Sequence, residues 1–327
     1  MGWTSVMRRI AGAGAGSGEF DEQDAYVLFA AMLDDGVTDL ELGAILAALQ
    51  ANDLSLGQLL GFHRALTERC FRLVAPEAAA RPVVLASHDG TREQPNLLPL
   101  IALLLRRFGV PVLVHGNLDG SRGTTAAAVL RELGVMPCAN LVQAGGELIE
   151  HKLAFVPTVL IAPGLAKLSS ACVRLGVGGA VALLARLVEP FSGASLLVAA
   201  ANGARERRLL EDFLQAARVN ALLLDGTEGE AFTDPLCRPE LQHFRDGERR
   251  RLFEAEAAPL RNLITLLHAT DAASTASWIR RVMAGEVPLP LPLANQIACC
   301  LYGAEYTNDL NHAKAIAAIE TGGLVAA

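Results

Sequence analysis

From residue 81 onward, short apolar runs alternate with longer helical patterns, and this alternation limits the fold more than any other feature of the chain. The run 83–86 breaks at His88-Asp89-Gly90, the run 110–115 ends in Gly116-Asn117, and the run 219–224 ends in Asp225-Gly226; a fourth run covers 195–200. Helical stretches are predicted between and after them, at 95–108 (opened by a proline), 124–133 (stopped by Gly134) and 204–217. Strands this short and this uniformly apolar are buried on both faces, and strands joined through helices pair in parallel. The predicted class is α/β, with a mainly parallel sheet flanked by helices. Ligands of such sheets sit in the loops at the carboxyl ends of the strands.

The first 75 residues carry a different pattern. Thr38-x-x-Glu41 and Ser55-x-x-Gln58 are capping boxes, each placed before a periodic apolar run, and they predict helices over 40–49 and 59–71 after one over 21–33. With a boundary at 76–82, the chain reads as a small all-helical domain over 1–78 and an α/β domain over 79–327. The Ala- and Leu-rich stretch 163–190 has no strand signal and is read as returning to the helical domain. Beyond the last strand come a polar segment at 243–256 and helices near 275–283, 293–301 and 311–319. The Gly/Ala stretch 11–18 reads as a flexible lead-in and lacks the contiguous apolar core of a secretory signal, so a cytoplasmic location is expected. The apolar runs at 97–105 and 177–185 stop at Arg106-Arg107 and Arg186, far below the roughly 20 residues that span a bilayer, and no membrane partner is expected. Six cysteines show no CxxC spacing, which argues against a metal site and for buried thiols.

Charge is unevenly spread. The 28 basic and 35 acidic residues leave −7, a sum that on its face disfavours a polyanionic partner. Yet nine of the acids and none of the bases lie between residues 10 and 63. Only Arg8 and Arg9 precede that segment, so 26 bases and 26 acids remain from residue 64 onward. The acidity belongs to the helical domain. Nearly all the bases are arginines, in groups at Arg106-Arg107, at Arg205, Arg207 and Arg208, and at Arg245, Arg249, Arg250 and Arg251. Guanidinium groups suit bidentate phosphate contact. A solvated helix face with Glu206, Glu211 and Asp212 nearby reads the same way.

Three loops carry polar chemistry. The loop 87–91 (SHDGT) has a single glycine and an acid, poor for a phosphate cradle, and reads as an ordinary strand-end turn. His115-Gly116-Asn117 followed by Ser121-Arg122-Gly123-Thr124-Thr125 places hydroxyls and an arginine at a helix start, suited to a phosphate or to capping by Thr124. The loop 225–230 (DGTEGE) offers three carboxylates of the kind magnesium takes, or simply a solvated turn.

Together these segments resemble the anthranilate phosphoribosyltransferase family over nearly the whole chain. The resemblance implies a small helical domain that mediates homodimerisation, a larger α/β domain, and chemistry on phosphoribosyl pyrophosphate with magnesium. The departures are concentrated at the site. The family's diphosphate loop, Gly-Thr-Gly-Gly-Asp-Gly followed by Asn-x-Ser-Thr, corresponds to 86–91 (ASHDGT) and to Asn96 followed by Leu97-Leu98-Pro99. His115-Gly116-Asn117 persists, but Leu118-Asp119-Gly120 replaces a Ser-rich continuation. The acceptor-binding arginine falls near Gly178-Gly179, and the magnesium Asp-Glu pair falls at Gly229-Glu230. A vestigial phosphoribosyl site is thus expected at Asp89, Gly90, Asn96, His115, Gly116, Asn117 and Arg122, with Glu228 and Glu230 as remnants of a metal site and no catalytic residue. The stretches 90–97, 108–116, 226–230 and 296–301 are similar to the YbiB-type branch. That branch implies a non-catalytic homodimer binding single- or double-stranded nucleic acid without sequence preference and without a cofactor. Arg106, Arg107, Arg205, Arg207, Arg208, Arg249 and Arg250 are the expected contacts. The alternative is a phosphoribosyltransferase with an altered acceptor, a degenerate phosphoribosyl pyrophosphate site and Mg²⁺.

Overall fold

The computed structural model describes residues 6, 9, 10, 20–120, 123–256 and 267–320. The expected lead-in at 11–18 lies outside them. The chain divides into two compact units, 1–72 with 158–190, and 73–157 with 191–327. The segment 76–82 therefore belongs to the second unit. The chain enters the first unit a second time at Thr158, a few residues before the expected 163.

In the first unit, α1 (Glu22–Leu33), α2 (Asp39–Ala51) and α3 (Leu56–Thr67) are joined by α7 (Thr158–Ile161), α8 (Pro163–Leu175) and α9 (Gly179–Ala185). The helices α1 and α3 begin where the side chains of Asp21 and Ser55 satisfy their first amides. Ser55 accepts from the Gln58 N–H at 3.2 Å while Gln58 accepts from the Ser55 N–H at 3.1 Å. Phe29 and Phe62 meet at 5.1 Å between ring centres and, fully buried, anchor the core.

The second unit is a seven-stranded sheet in the order β3-β2-β1-β4-β5-β6-β7. Its strands are β1 (Val83–Ser87), β2 (Val112–Gly116), β3 (Leu153–Pro157), β4 (Leu196–Ala201), β5 (Ala221–Asp225), β6 (Leu241–Arg245) and β7 (Glu248–Phe253). The first five pair in parallel, and all but Asp225 of their residues are buried, because helices cover both faces. The covering elements are α4 (Leu98–Arg107), α5 (Ala126–Glu132), α6 (Leu141–Glu150), α10 (Ala204–Ala216), α11 (Ala272–Met283), α12 (Leu291–Gly303) and α13 (Leu310–Glu320). No helix among the described residues is long and apolar enough to cross a membrane.

Two segments depart from the sequence reading. The polar stretch 243–256 forms β6 and β7, an antiparallel hairpin around Asp246 (φ 53°) and Gly247 (φ 86°). Both central residues have the positive φ of a type I′ turn, whose hand matches strand twist. The strand β3 and the helix before it were also not foreseen. Strand order runs outward from β1 in one direction and from β4 in the other, so the sheet switches direction between β1 and β4. The carboxyl ends flanking that point form the crevice where such sheets take ligands.

Candidate functional site

The crevice is built from the loops after β1, β2 and β5. The loop after β5 starts over the end of β4, where the Gly226 N–H donates to Ala201 O at 2.9 Å. It then turns tightly, with Glu228 at φ 52° and Gly229 at φ 86°, and closes with the Glu230 N–H on Thr227 O at 3.0 Å. This turn carries two carboxylates onto the loop after β1.

Both carboxylates are spent on backbone amides. Glu230, 2% exposed, accepts from the N–H groups of His88 and Gly90, each at 3.0 Å, and from Asn96 Nδ2 at 3.4 Å. The Ser87 hydroxyl also donates to it and accepts the first amide of α5, from Ala126, at 3.2 Å. Burial pushes the Glu230 carboxyl up from its ordinary pKa, and these donors oppose the shift. Glu228 accepts from three consecutive amides: Arg92 at 2.9 Å, Glu93 at 3.0 Å and Gln94 at 3.1 Å. Successive N–H groups converging on one anion form a nest of the kind that binds phosphates. Here the anion is supplied by the chain.

The remaining expected positions converge on the same place. Asn96 is fully buried, bonding Thr124 O at 3.0 Å and receiving the Leu98 N–H at 3.2 Å. Gly90 is buried, Asp89 is half-exposed beside His88, and Asn117 Nδ2 donates to His88 O at 2.9 Å. His115 is buried on β2. Gly116 is required by close approach: a Cβ there would lie 1.8 Å from Ser87 O. Arg122 lies outside the described residues. The cap of α5 is Thr125, not Thr124; its hydroxyl accepts the Ala128 N–H at 3.2 Å, while Thr124 pairs its backbone with Thr91. In the first unit, the Gly178 N–H donates to Gln50 Oε1 at 3.0 Å, and neither Gly178 nor Gly179 offers a charge.

A site for magnesium and a phosphoribosyl diphosphate does not fit this arrangement. The carboxylates that would hold the metal are committed to amides, and the amides that would hold the diphosphate are committed to carboxylates. Among the described residues, no group of three or more His, Cys, Asp or Glu side chains is placed to hold a metal ion.

The arginines do not form one group. Arg205, Arg207 and Arg208 start α10 at the carboxyl edge of the sheet, where Arg207 Nη1 meets Asp225 of β5 at 3.0 Å. Arg106 and Arg107 end α4, which runs from the end of β1 back towards the start of β2, and so lie at the opposite edge. Of the α10 group, Arg207 is met instead by β7. Arg207 and Arg249 share Glu211 at 3.3 and 3.1 Å, and Arg207 and Arg251 share Glu240, each at 3.9 Å. Arg207 is only 12% exposed, whereas Arg249 and Arg251 are 46% and 57% exposed. Arg205 and Arg208 are exposed as well. Arg250 projects from the other face of β7 and bonds the Tyr302 hydroxyl at 2.7 Å, beside His243. Sequence reasoning missed the meeting of Arg207 with Arg249 and Arg251 because it missed the hairpin.

Comparison with known proteins places this arrangement. No family model matches the chain. The protein YbiB of Escherichia coli (strain K12) is 32% identical over 302 residues, 92% of this chain and 94% of its own. The anthranilate phosphoribosyltransferase of Novosphingobium aromaticivorans is 27% identical over 268 residues, 81% of each chain. The crystal structure of anthranilate phosphoribosyltransferase from Thermus thermophilus superposes with a TM-score of 0.76 at 22% identity, covering 98% of this chain and 95% of that one, which shows the shared fold. By sequence and fold, the chain belongs to the YbiB-type branch of the anthranilate phosphoribosyltransferase-like family.

Proposed function

We propose that the protein is a non-catalytic, cytoplasmic homodimer that binds DNA or RNA without sequence preference, through the arginine flank formed by α10 and β7. The observation that carries this reading is the inward commitment of the strand-end amides. With the cradle already neutralised from within, recognition of an external polyanion falls to exposed cations elsewhere. Arg205, Arg208, Arg249 and Arg251 supply them from two segments of the chain. Arginine suits phosphate oxygens whatever the base, so affinity arises without readout of sequence. Several of these arginines already hold acids, and a strand of nucleic acid competes with Glu211 and Glu240 for them. A fluorescent mixed-sequence oligonucleotide titrated at low and high salt tests the proposal; binding absent at low salt rejects it.

The homodimer is supported by exposed apolar side chains on the first unit, Leu40 and Val159 among them. Light scattering should return twice the 34.5 kDa chain mass. The competing reading, a phosphoribosyltransferase with an altered acceptor and bound Mg²⁺, is favoured by the retained Asn96 and His115-Gly116-Asn117. Calorimetric heat with phosphoribosyl pyrophosphate and magnesium would support it.

A further inference from the structure

We propose that Glu228 is a built-in anion that keeps an amide cradle closed to diphosphates, which makes it the residue that decides what this loop refuses. The inference shares with that reading the commitment of the strand-end amides, but it concerns a different ligand, at the loop and not at the arginine flank.

Three features of Glu228 set it apart from Glu230. Its carboxylate takes three consecutive amides, from Arg92, Glu93 and Gln94, the arrangement in which a phosphate group would sit. Its side chain is 21% exposed, so it has a way out to solvent, whereas Glu230 is enclosed. Its backbone lies at φ 52°, in the left-handed region that a side chain disfavours; the three amide bonds offset that cost. The surroundings suit an anion larger than a carboxylate. The Arg92 guanidinium is 4.0 Å from Glu228. The hydroxyls of Thr91 and Thr227, one on each loop, are buried without a hydrogen-bond partner among the described residues. A diphosphate offers the same acceptor oxygens as the carboxylate with more charge, so it competes for the same amides. Removing the internal anion leaves the nest intact and lacking an acceptor.

The test is inorganic pyrophosphate titrated into the full chain and its Glu228→Ala variant, followed through the amide resonances of residues 92–94. The native protein is expected to bind pyrophosphate at least tenfold more weakly than the variant. In the variant, pyrophosphate should return the three amides towards their native shifts. Glu228→Gln, which keeps the side-chain volume and removes the charge, should gain affinity in the same direction. Equal affinity in native protein and folded variants overturns the proposal, as do shifts confined to amides elsewhere. Loss of the fold in both variants also overturns it, because the carboxylate is then a structural staple that no ligand displaces. Oligonucleotide binding through α10 is unchanged in Glu228→Ala under either outcome, so this test and that of the arginine flank fail separately.

Discussion

A buried carboxylate is stable only where a cation or hydrogen-bond donors replace water; Glu230 meets no cation among the described residues and is held by donors from His88, Gly90, Asn96 and Ser87. Glu230→Ala leaves those donors buried without an acceptor. The expected cost is about 3 kcal/mol, read as a shift in the urea midpoint. Gly116→Ala should cost about as much, since its Cβ would press on Ser87 O with no side chain able to move aside. The residues of the site were legible in the sequence; their roles were not. Gly90, Asn96 and His115-Gly116-Asn117 stand out as loop residues after strands. The meaning of Glu228 and Glu230 depends on which loop they face, and their partners lie 134 to 142 residues away. A carboxylate that coordinates a metal and one that caps amides look alike along the chain.

At the scale of elements, the strands β1, β2, β4 and β5 were legible because burial on both faces leaves a run of apolar residues. The edge strand β7 was not. Four of its six residues are exposed, so its composition follows solvent and not the core, and only the Asp246-Gly247 dipeptide marks the turn. Gly247→Ala should destabilise by about 1 kcal/mol, through strain at φ 86°, in thermal denaturation. The same hairpin decides how the arginines are tested. Arg207 is enclosed by Asp225, Glu211 and Glu240, and replacing it would strand Asp225 and leave Glu211 and Glu240 to Arg249 and Arg251. The double variant Arg205→Ala/Arg208→Ala leaves that cluster intact. It should weaken oligonucleotide binding about equally across sequences and flatten its salt dependence, while the melting temperature stays near native.

At the scale of the whole molecule, each unit holds a histidine that packing disfavours in its charged form, half-buried His63 in the first and buried His243 in the second. Burial and nearby arginines bring His63 in the first unit and His243 in the second down to about 4. Arg72 faces His63; Arg245, Arg250 and Glu305 face His243, with the arginines outweighing the glutamate. An unfolded histidine takes its proton near 6.5, so between about 6.5 and 4 the unfolded chain binds more protons than the folded one. Stability from this source is complete above pH 6.5 and is lost as pH falls towards 4, by up to about 3 kcal/mol per histidine. Urea midpoints recorded across that range should fall, and His63→Leu should lessen the slope. Net charge follows the same division. Residues 10–63 carry nine acids and no base, more than the whole net charge of −7, and residues 64–327 balance, so the deficit sets no barrier to a polyanion at the arginine flank. On the proposed function, phosphate meets the flank and not the strand-end crevice. This is tested most directly by the salt dependence of single-stranded oligonucleotide binding. The prediction is an affinity that falls with a log–log slope of about −0.7 per phosphate neutralised, and a shallower slope in Arg205→Ala/Arg208→Ala. Binding that is insensitive to salt, or a slope unchanged in that variant, would contradict it.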